Sequence, residues 1–183
     1  MKEERTEDQN WLFAYGSLMW NPGFTVAETC IATLEGFHRS FCMLSHHYRG
    51  TPEAPGLVLA LDRTDGASCH GVALRVTDAD WPEVIAEVRA RELVSNAYKE
   101  SVLPIRLSDG REVAAITYVM QRDHEQYAGH LHTQDQAKII ARAEGGRGPN
   151  RDYLYNTAAH LAELGLADPE MEALAAEVRR LSG

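Results

Sequence analysis

Residues 11–20, WLFAYGSLMW, form an apolar and aromatic stretch that Gly16-Ser17 interrupts. Such a run predicts a buried strand that ends in a tight loop. Further along the chain, short apolar runs between turn residues predict five more strands, over residues 33–44, 57–62, 69–76, 101–107 and 112–120. Six short strands of this kind indicate an antiparallel or mixed sheet, which can close into a barrel.

Helical patterns follow later in the chain. They cover residues 81–92, 134–144, 151–164 and 169–181. Asn150 is expected to cap the third of these helices, and Asp168-Pro169 to begin the fourth. Strands mostly first and helices mostly last predict an α+β fold in a single domain over residues 11–183. The polar residues 1–10 lack the apolar core of a secretion signal, so we expect a short disordered arm there.

Composition narrows the class of protein. The 183 residues are 44% apolar and 25% charged, which is ordinary for a globular chain, and no apolar run approaches the ~20 residues of a membrane span. The net charge of −9 argues against a nucleic-acid partner, although local dipoles can still bind a small anion. Three cysteines, odd in number and without a CxxC pair, indicate a reduced, cytoplasmic protein.

Glu92 breaks the pattern of the first predicted helix. Trp81, Val84, Ile85 and Val88 recur at helical spacing and define one apolar face, and Glu92 falls in the centre of that face. Burying a carboxylate raises its pKa unless a partner compensates, and a raised pKa suits a general acid or base. The alternative is that the helix ends at Val88 and leaves Glu92 in a solvated loop.

The turn Tyr15-Gly16-Ser17-Leu18 follows the first strand. A glycine lets the backbone approach a ligand closely and present its N–H groups to an anion. The alternative is an ordinary turn with no ligand.

Other chemistries have weaker support. His46 and His47 are adjacent, so on a strand they point to opposite faces, and the other histidines have no metal-site spacing. None of the cysteines precedes a helix as a nucleophile does, which leaves inert thiols as the expectation. Residues 145–150, GGRGPN, lack the Lys-Ser/Thr of a phosphate-binding loop. We therefore expect no metal site.

Several motifs together resemble the ChaC-like γ-glutamylcyclotransferases, in that family's order, over residues 11–165. The opening FAYGSLMW resembles the family's YGSL-type loop, and Arg91-Glu92 with Tyr98 resembles its R-E…Y segment. The remaining matches are Gly36-Phe37-His38-Arg39, Tyr48-Arg49-Gly50 with Pro55-Gly56, Gly71-Val72-Ala73, Tyr127-Ala128-Gly129, and Gly148-Pro149-Asn150 with Tyr153-Leu154.

The resemblance implies a small mixed barrel flanked by helices, and a reaction without a cofactor. The family cleaves γ-glutamyl amides, typically glutathione, into 5-oxoproline and the released amine or dipeptide. The catalytic glutamate corresponds to Glu92. The substrate loop corresponds to Ala14, Tyr15, Gly16, Ser17, Leu18 and Met19, and Tyr127 is a further candidate to line the pocket. The partner implied is a small molecule, with no nucleic acid and no membrane.

This chain departs from the family pattern at residues 93–97 and at His46-His47, and both departures leave alternatives open. Residues 93–97, LVSNA, stand where relatives often carry paired glycines, so another γ-glutamyl amide is an alternative substrate. A non-catalytic module that binds γ-glutamyl compounds and a metal-dependent hydrolase are the rival functions. Arg49 can attract substrate carboxylates or can simply be solvated, and the resemblance assigns no role to His46 and His47.

Overall fold

The computed structural model describes residues 10–183, which divide into two compact units. Unit 1 holds residues 10–39 and Leu61–Gln121, and unit 2 holds Ser40–Ala60 and Arg122–Gly183. The single domain over 11–183 stays a prediction. Of the predicted N-terminal arm, residues 1–9 lie outside the described residues. Asn10 is buried, and its carbonyl accepts a hydrogen bond from the N–H of Val76.

Five strands form a closed barrel in the order β1-β3-β2-β4-β5. They are β1 (Trp11–Ala14), β2 (Glu28–Ser45), β3 (Gly56–Arg75), β4 (Tyr98–Leu107) and β5 (Glu112–Met120). Strand β1 runs antiparallel to β3 and parallel to β5, so the predicted mixed barrel is confirmed. Alternate residues of these strands point inward and build its core, which includes Trp11, Phe13, Leu34, Leu61, Ile105 and Leu107.

The prediction of separate strands over 57–62 and 69–76 is wrong, because β3 continues from Gly56 to Arg75. The stretch between the two runs is polar and mostly exposed, and this is why it looked like a loop in the sequence. Its backbone is held in the sheet by hydrogen bonding to the neighbouring strand, which a pattern of side-chain hydropathy does not report.

Four helices accompany the barrel, as predicted. Unit 1 contains α1 (Trp81–Glu92), and unit 2 contains α2 (Thr133–Arg142), α3 (Asn150–Glu163) and α4 (Pro169–Ser182). Between α2 and α3, the two-residue strands β6 (Glu144–Gly145) and β7 (Gly148–Pro149) pair with each other. Within residues 10–183, no helix combines the length and the apolar character that a membrane span needs.

Asn150 is the first residue of α3 and does not cap it, contrary to the prediction. Its side chain is fully buried, where it donates to the carbonyl of Leu57 and accepts from the N–H of Leu57, both at 2.8 Å. A Cβ on Gly56 would lie 2.2 Å from the Arg49 carbonyl and 2.9 Å from Asn150 Oδ1. The Asn150 cluster (Arg49, Gly56, Leu57 and Asn150) is therefore a packed junction of backbone segments within unit 2.

Candidate active site

Glu92 is the last residue of α1, so the alternative in which the helix ends at Val88 is wrong. The predicted apolar face is confirmed, because Trp81, Val84, Ile85 and Val88 are all buried. The Glu92 side chain is only 18% exposed. Burial raises the pKa of Glu92, and the nearby charge of Arg91 lowers it to a smaller extent. The raised pKa makes this carboxylate a stronger base than an exposed glutamate, which suits it to accept and return a proton.

The turn after β1 continues into a single turn of 3-10 helix, Ser17–Met19. The Gly16 and Ser17 carbonyls accept the N–H groups of Met19 and Asn21. Within residues 10–183, the N–H groups of Ser17 and Leu18 at the start of this turn have no backbone acceptor, as expected at the beginning of a helix. A Cβ built on Gly16 would meet nothing within 4 Å. The turn thus presents donors beside open space.

The predicted loop residues differ in exposure. Ala14, Leu18 and Met19 are buried and anchor the turn in the apolar interior, whereas Tyr15, Gly16 and Ser17 are half-buried. A Cβ on Gly71 of β3 would lie 2.4 Å from the Ala14 carbonyl, so a glycine is required where β3 passes beneath the start of the turn. These contacts leave residues 15–17 as the part of the loop that is accessible to a ligand.

Two arginines hold the turn. Arg39 of β2 is buried and donates from Nε to the Tyr15 carbonyl at 2.7 Å. Arg91 of α1 donates from Nη2 to Ser17 Oγ at 2.8 Å and from Nη1 to the Asn21 carbonyl at 3.1 Å. Both guanidiniums carry positive charge next to the turn, in a chain whose net charge is −9. This arrangement favours an anionic ligand at the turn.

A hydrogen-bonded network in β4 and β5 also reaches the turn. The Tyr118 hydroxyl donates to Glu100 Oε2 at 3.0 Å, and Arg89 makes two bonds to the same Glu100 carboxylate. The Tyr15 hydroxyl donates to the Tyr118 carbonyl at 2.9 Å. Burial is the main cause that raises the pKa of Tyr118, with a smaller contribution from the charge of Glu92. Tyr118 is therefore within electrostatic reach of Glu92.

Sequence reasoning did not identify the roles of Arg39, Arg91, Glu100 and Tyr118. For Arg91, the signal was its position next to Glu92 in the R-E pair. For Tyr118 and Glu100 no local pattern marks them, because their contacts join positions that are far apart in the chain.

Other candidates lie in unit 2. Tyr127 is half-buried, is bridged to Met43, and has the Arg122 guanidinium over its ring; its role in a pocket stays a prediction. Arg49 is not simply solvated, because it donates from Nη1 to the Pro149 carbonyl at 3.1 Å and lies over the ring of Tyr153. Attraction of substrate carboxylates by Arg49 stays a prediction.

The metal-binding and thiol candidates can be located as well. Among residues 10–183, no group of three or more His, Cys, Asp or Glu side chains is placed to hold a metal ion. Cys42 and Cys69 are buried, Cys30 is half-buried, and none of the three is in a disulfide. The His47 carbonyl accepts the N–H of Gly146, so the His46-His47 segment has a backbone role in unit 2.

Comparison with known proteins bears on this arrangement. The family model described as ChaC-like protein matches residues 10–181. A glutathione-specific gamma-glutamylcyclotransferase of Escherichia coli is 36% identical over 93% of this chain and 73% of its own length. Gamma-glutamylcyclotransferase 2-3 of Arabidopsis thaliana is 33% identical over 93% of this chain and 89% of its own length.

The fold is also shared with a solved structure. A yeast gamma-glutamyl cyclotransferase specific to glutathione superposes with a TM-score of 0.83 at 23% identity, covering 93% of this chain and 95% of that one. At this identity the likeness concerns the fold, and it confirms the helix-flanked mixed barrel expected from the sequence.

Proposed function

This chain belongs to the ChaC-like protein family, and from that membership we infer that it is a glutathione-specific γ-glutamylcyclotransferase. The enzyme converts glutathione into 5-oxoproline and Cys-Gly. The observation that supports this function most directly is the partly buried Glu92 carboxylate at the end of α1, next to the arginine that binds the turn. A module that only binds γ-glutamyl compounds gains little from a carboxylate with a raised pKa.

The reaction needs no nucleophile from the protein. The α-amine of the γ-glutamyl unit attacks its own side-chain carbonyl carbon, a new C–N bond closes the five-membered ring, and the amide bond to the cysteine nitrogen breaks. Glu92 accepts the proton that the ammonium group loses before attack and delivers it to the leaving cysteine nitrogen. The ring nitrogen loses a second proton as the lactam forms, and this proton also passes to the departing amine, which leaves as an ammonium group, so that atoms and charge balance without water. Holding the substrate in the folded-back pose supplies much of the rate acceleration by proximity.

The turn after β1 holds the substrate in this proposal. The N–H groups of Ser17 and Leu18 bind either the α-carboxylate or the oxygen that becomes negative during attack. The open space at Gly16 lets the γ-glutamyl backbone approach the chain closely. The charges of Arg39 and Arg91 support binding of an anion there. Ala14, Leu18 and Met19 keep the turn in place through burial.

The preference for glutathione is inferred from the family relatives. The segment proposed to contact the leaving group, residues 93–97, has features that are particular to this chain. Residues 93–97 follow Glu92 directly; Val94 is 76% exposed and Asn96 has a positive φ of 56°. Gln121 donates to the Asn96 carbonyl and holds this segment against β5. We propose that glutathione is preferred and that the segment contacts its Cys-Gly part. A reducing compartment such as the cytoplasm fits the free cysteines.

Incubation of the purified protein with glutathione, with and without a chelator, tests the function. We expect equal amounts of 5-oxoproline and Cys-Gly in both conditions. Loss of product on chelation supports the metal-dependent alternative. Product from γ-glutamylalanine but not from glutathione moves the activity to another γ-glutamyl amide. Absence of product from every γ-glutamyl compound, together with measurable binding, contradicts the enzyme and supports the binding module.

A further inference from the structure

Arg91 contacts three separate parts of the proposed active site. Its guanidinium donates to Ser17 Oγ at 2.8 Å and to the Asn21 carbonyl at 3.1 Å, on the two sides of the 3-10 turn. Its Nε also lies 3.6 Å from the Glu92 carboxylate. One planar group with five N–H donors thus connects the turn that holds the substrate to the residue that moves the proton.

The contact with Ser17 determines what the Ser17 hydroxyl can do. A guanidinium only donates hydrogen bonds, so Ser17 Oγ accepts from Arg91 and its own hydrogen points elsewhere. The hydroxyl hydrogen is then available to donate to a further acceptor. A carboxylate of the substrate is the acceptor that fits a hydroxyl donor beside a positive charge and two N–H groups that have no backbone acceptor among residues 10–183.

The charge of Arg91 acts on Glu92 in the opposite direction from burial. Among residues 10–183, the charge of Arg91 on α1 lowers the pKa of Glu92, and Tyr118 on β5 interacts with the Glu92 charge. Burial raises the pKa of Glu92 and Arg91 lowers it, whereas Tyr118 stays neutral because its own pKa is raised. Arg91 therefore keeps a larger fraction of Glu92 ionised at a given pH than burial alone would allow.

We propose that Arg91 is a positioning residue, which orients the Ser17 hydroxyl toward the substrate carboxylate and holds the turn in register with the ionised Glu92 carboxylate. This inference rests on the proposed function and adds to it the group that couples substrate binding to proton transfer. Lysine could replace the charge of Arg91 but not its forked contacts, since an ammonium is a point charge on a flexible stem.

The test compares Arg91→Met and Arg91→Lys with wild type for glutathione turnover over a range of pH. In Arg91→Met, KM should rise about tenfold or more, because a charge-assisted hydrogen bond is lost. The acid limb of kcat/KM should move to higher pH, because the counter-charge that lowers the Glu92 pKa is gone. In Arg91→Lys the acid limb should return to its wild-type position while KM stays raised. Arg180→Met, which removes an exposed ion pair with Glu177 on α4, is the matched control and should change neither.

Ser17→Ala distinguishes loss of the hydrogen bond between Arg91 and Ser17 from loss of the Arg91 charge. If Arg91 acts through Ser17, the double variant Arg91→Met/Ser17→Ala should have about the KM of Arg91→Met alone. The inference is overturned if Arg91→Met keeps the wild-type KM and acid limb, or if the two substitutions multiply each other's effect on KM.

Wild-type turnover, measured in the same assay, tests the proposed function separately. Should wild type be inactive, hydrogen exchange still tests whether Arg91 holds the turn, because the N–H groups of Met19 and Asn21 are hydrogen-bonded within it. Their exchange should be faster in Arg91→Met than in wild type or Arg180→Met, and unchanged exchange would contradict the inference.

Discussion

Gly16 in unit 1 and Gly56 in unit 2 both belong to short glycine motifs, yet their surroundings differ completely. A Cβ on Gly16 would meet nothing within 4 Å, whereas a Cβ on Gly56 would lie 2.2 Å from the Arg49 carbonyl. The first glycine leaves space beside the Tyr15–Met19 turn. The second allows two backbone segments of the Asn150 cluster to touch. Glycine motifs of similar appearance therefore leave open space in one place, where we propose that the substrate binds, and allow close packing of the chain in the other.

The polar residues next to these glycines differ in the same way. In the Asn150 cluster the side-chain amide of Asn150 uses both its donor and its acceptor on Leu57, so its hydrogen-bonding capacity is directed inward. At the turn, the N–H groups of Ser17 and Leu18 begin a helix and stay available. Satisfied polar groups indicate a structural junction, whereas available donors beside open space are what the proposed binding site requires.

Glu92→Gln gives the largest expected effect and tests the candidate active site beside the Tyr15–Met19 turn. Turnover of glutathione should fall by roughly two to four orders of magnitude, because the amide cannot accept and return a proton. The melting temperature should not fall, because the substitution removes a carboxylate that burial disfavours. Release of 5-oxoproline and a thermal melt measure the two effects.

Glu87→Gln is the matched control for this substitution, because Glu87 lies on the exposed face of the same helix. It should leave turnover unchanged. Near wild-type activity of Glu92→Gln would remove Glu92 from the proposed role.

Gly56→Ala should produce the largest loss of stability and little direct change in chemistry. The added methyl group has no room between the Arg49 carbonyl and Asn150 Oδ1, so backbone must move. We expect the free energy of unfolding to fall by about 3 kcal/mol or more. Urea denaturation measures it, and a loss below about 1 kcal/mol would show that the Asn150 cluster is not the packed junction described here.

Gly16→Ala should show the opposite behaviour. Its methyl group projects into open space, so the free energy of unfolding should fall by much less than in Gly56→Ala. KM for glutathione should rise about tenfold, because the methyl group occupies space that the substrate needs. Steady-state kinetics and urea denaturation on one preparation check both parts, and an unchanged KM would place the substrate elsewhere.

The pH dependence of stability gives the smallest expected effect. Because burial raises the pKa of Glu92 above its ordinary value of 4.5, the folded state binds this proton more tightly than the unfolded chain does. The stabilising contribution of protonated Glu92 is present below the unfolded pKa and is lost as pH rises through the folded pKa. The stability of Glu92→Gln relative to wild type should therefore increase between about pH 4 and pH 8.

Urea denaturation of the two proteins across that range measures the difference. A difference that does not change with pH would contradict burial of the Glu92 carboxylate.

Local pattern predicted much of the fold. The apolar runs that became β1, β4 and β5, and the spacing that became α1 and α4, were recognisable because each element buries one face and repeats with its own period. The same spacing singled out Glu92, since a carboxylate on an apolar stripe departs from the pattern that the other buried residues set. The separate strands expected within β3 were wrong, because the polar stretch between them is held by its neighbour in the sheet.

The partners of the site residues lay outside the reach of local pattern. Arg39 reaches the Tyr15 carbonyl across 24 positions, Arg91 reaches Ser17 across 74, and Tyr15 reaches Tyr118 across 103. Asn150 was predicted to cap a helix because it stands directly before a helical pattern. Only its distant partner Leu57 shows that its side chain instead links two segments in the interior.

Periodicity along the chain predicted most of the strands, the four helices and an apolar helix face that includes Glu92, because burial of one face imposes a repeat that can be read from neighbouring residues. Which arginine binds Ser17, and which glycine faces open space, depended on closure of the barrel. Closure brings segments from distant parts of the chain into hydrogen-bonding range, and such contacts carry no repeat along the sequence.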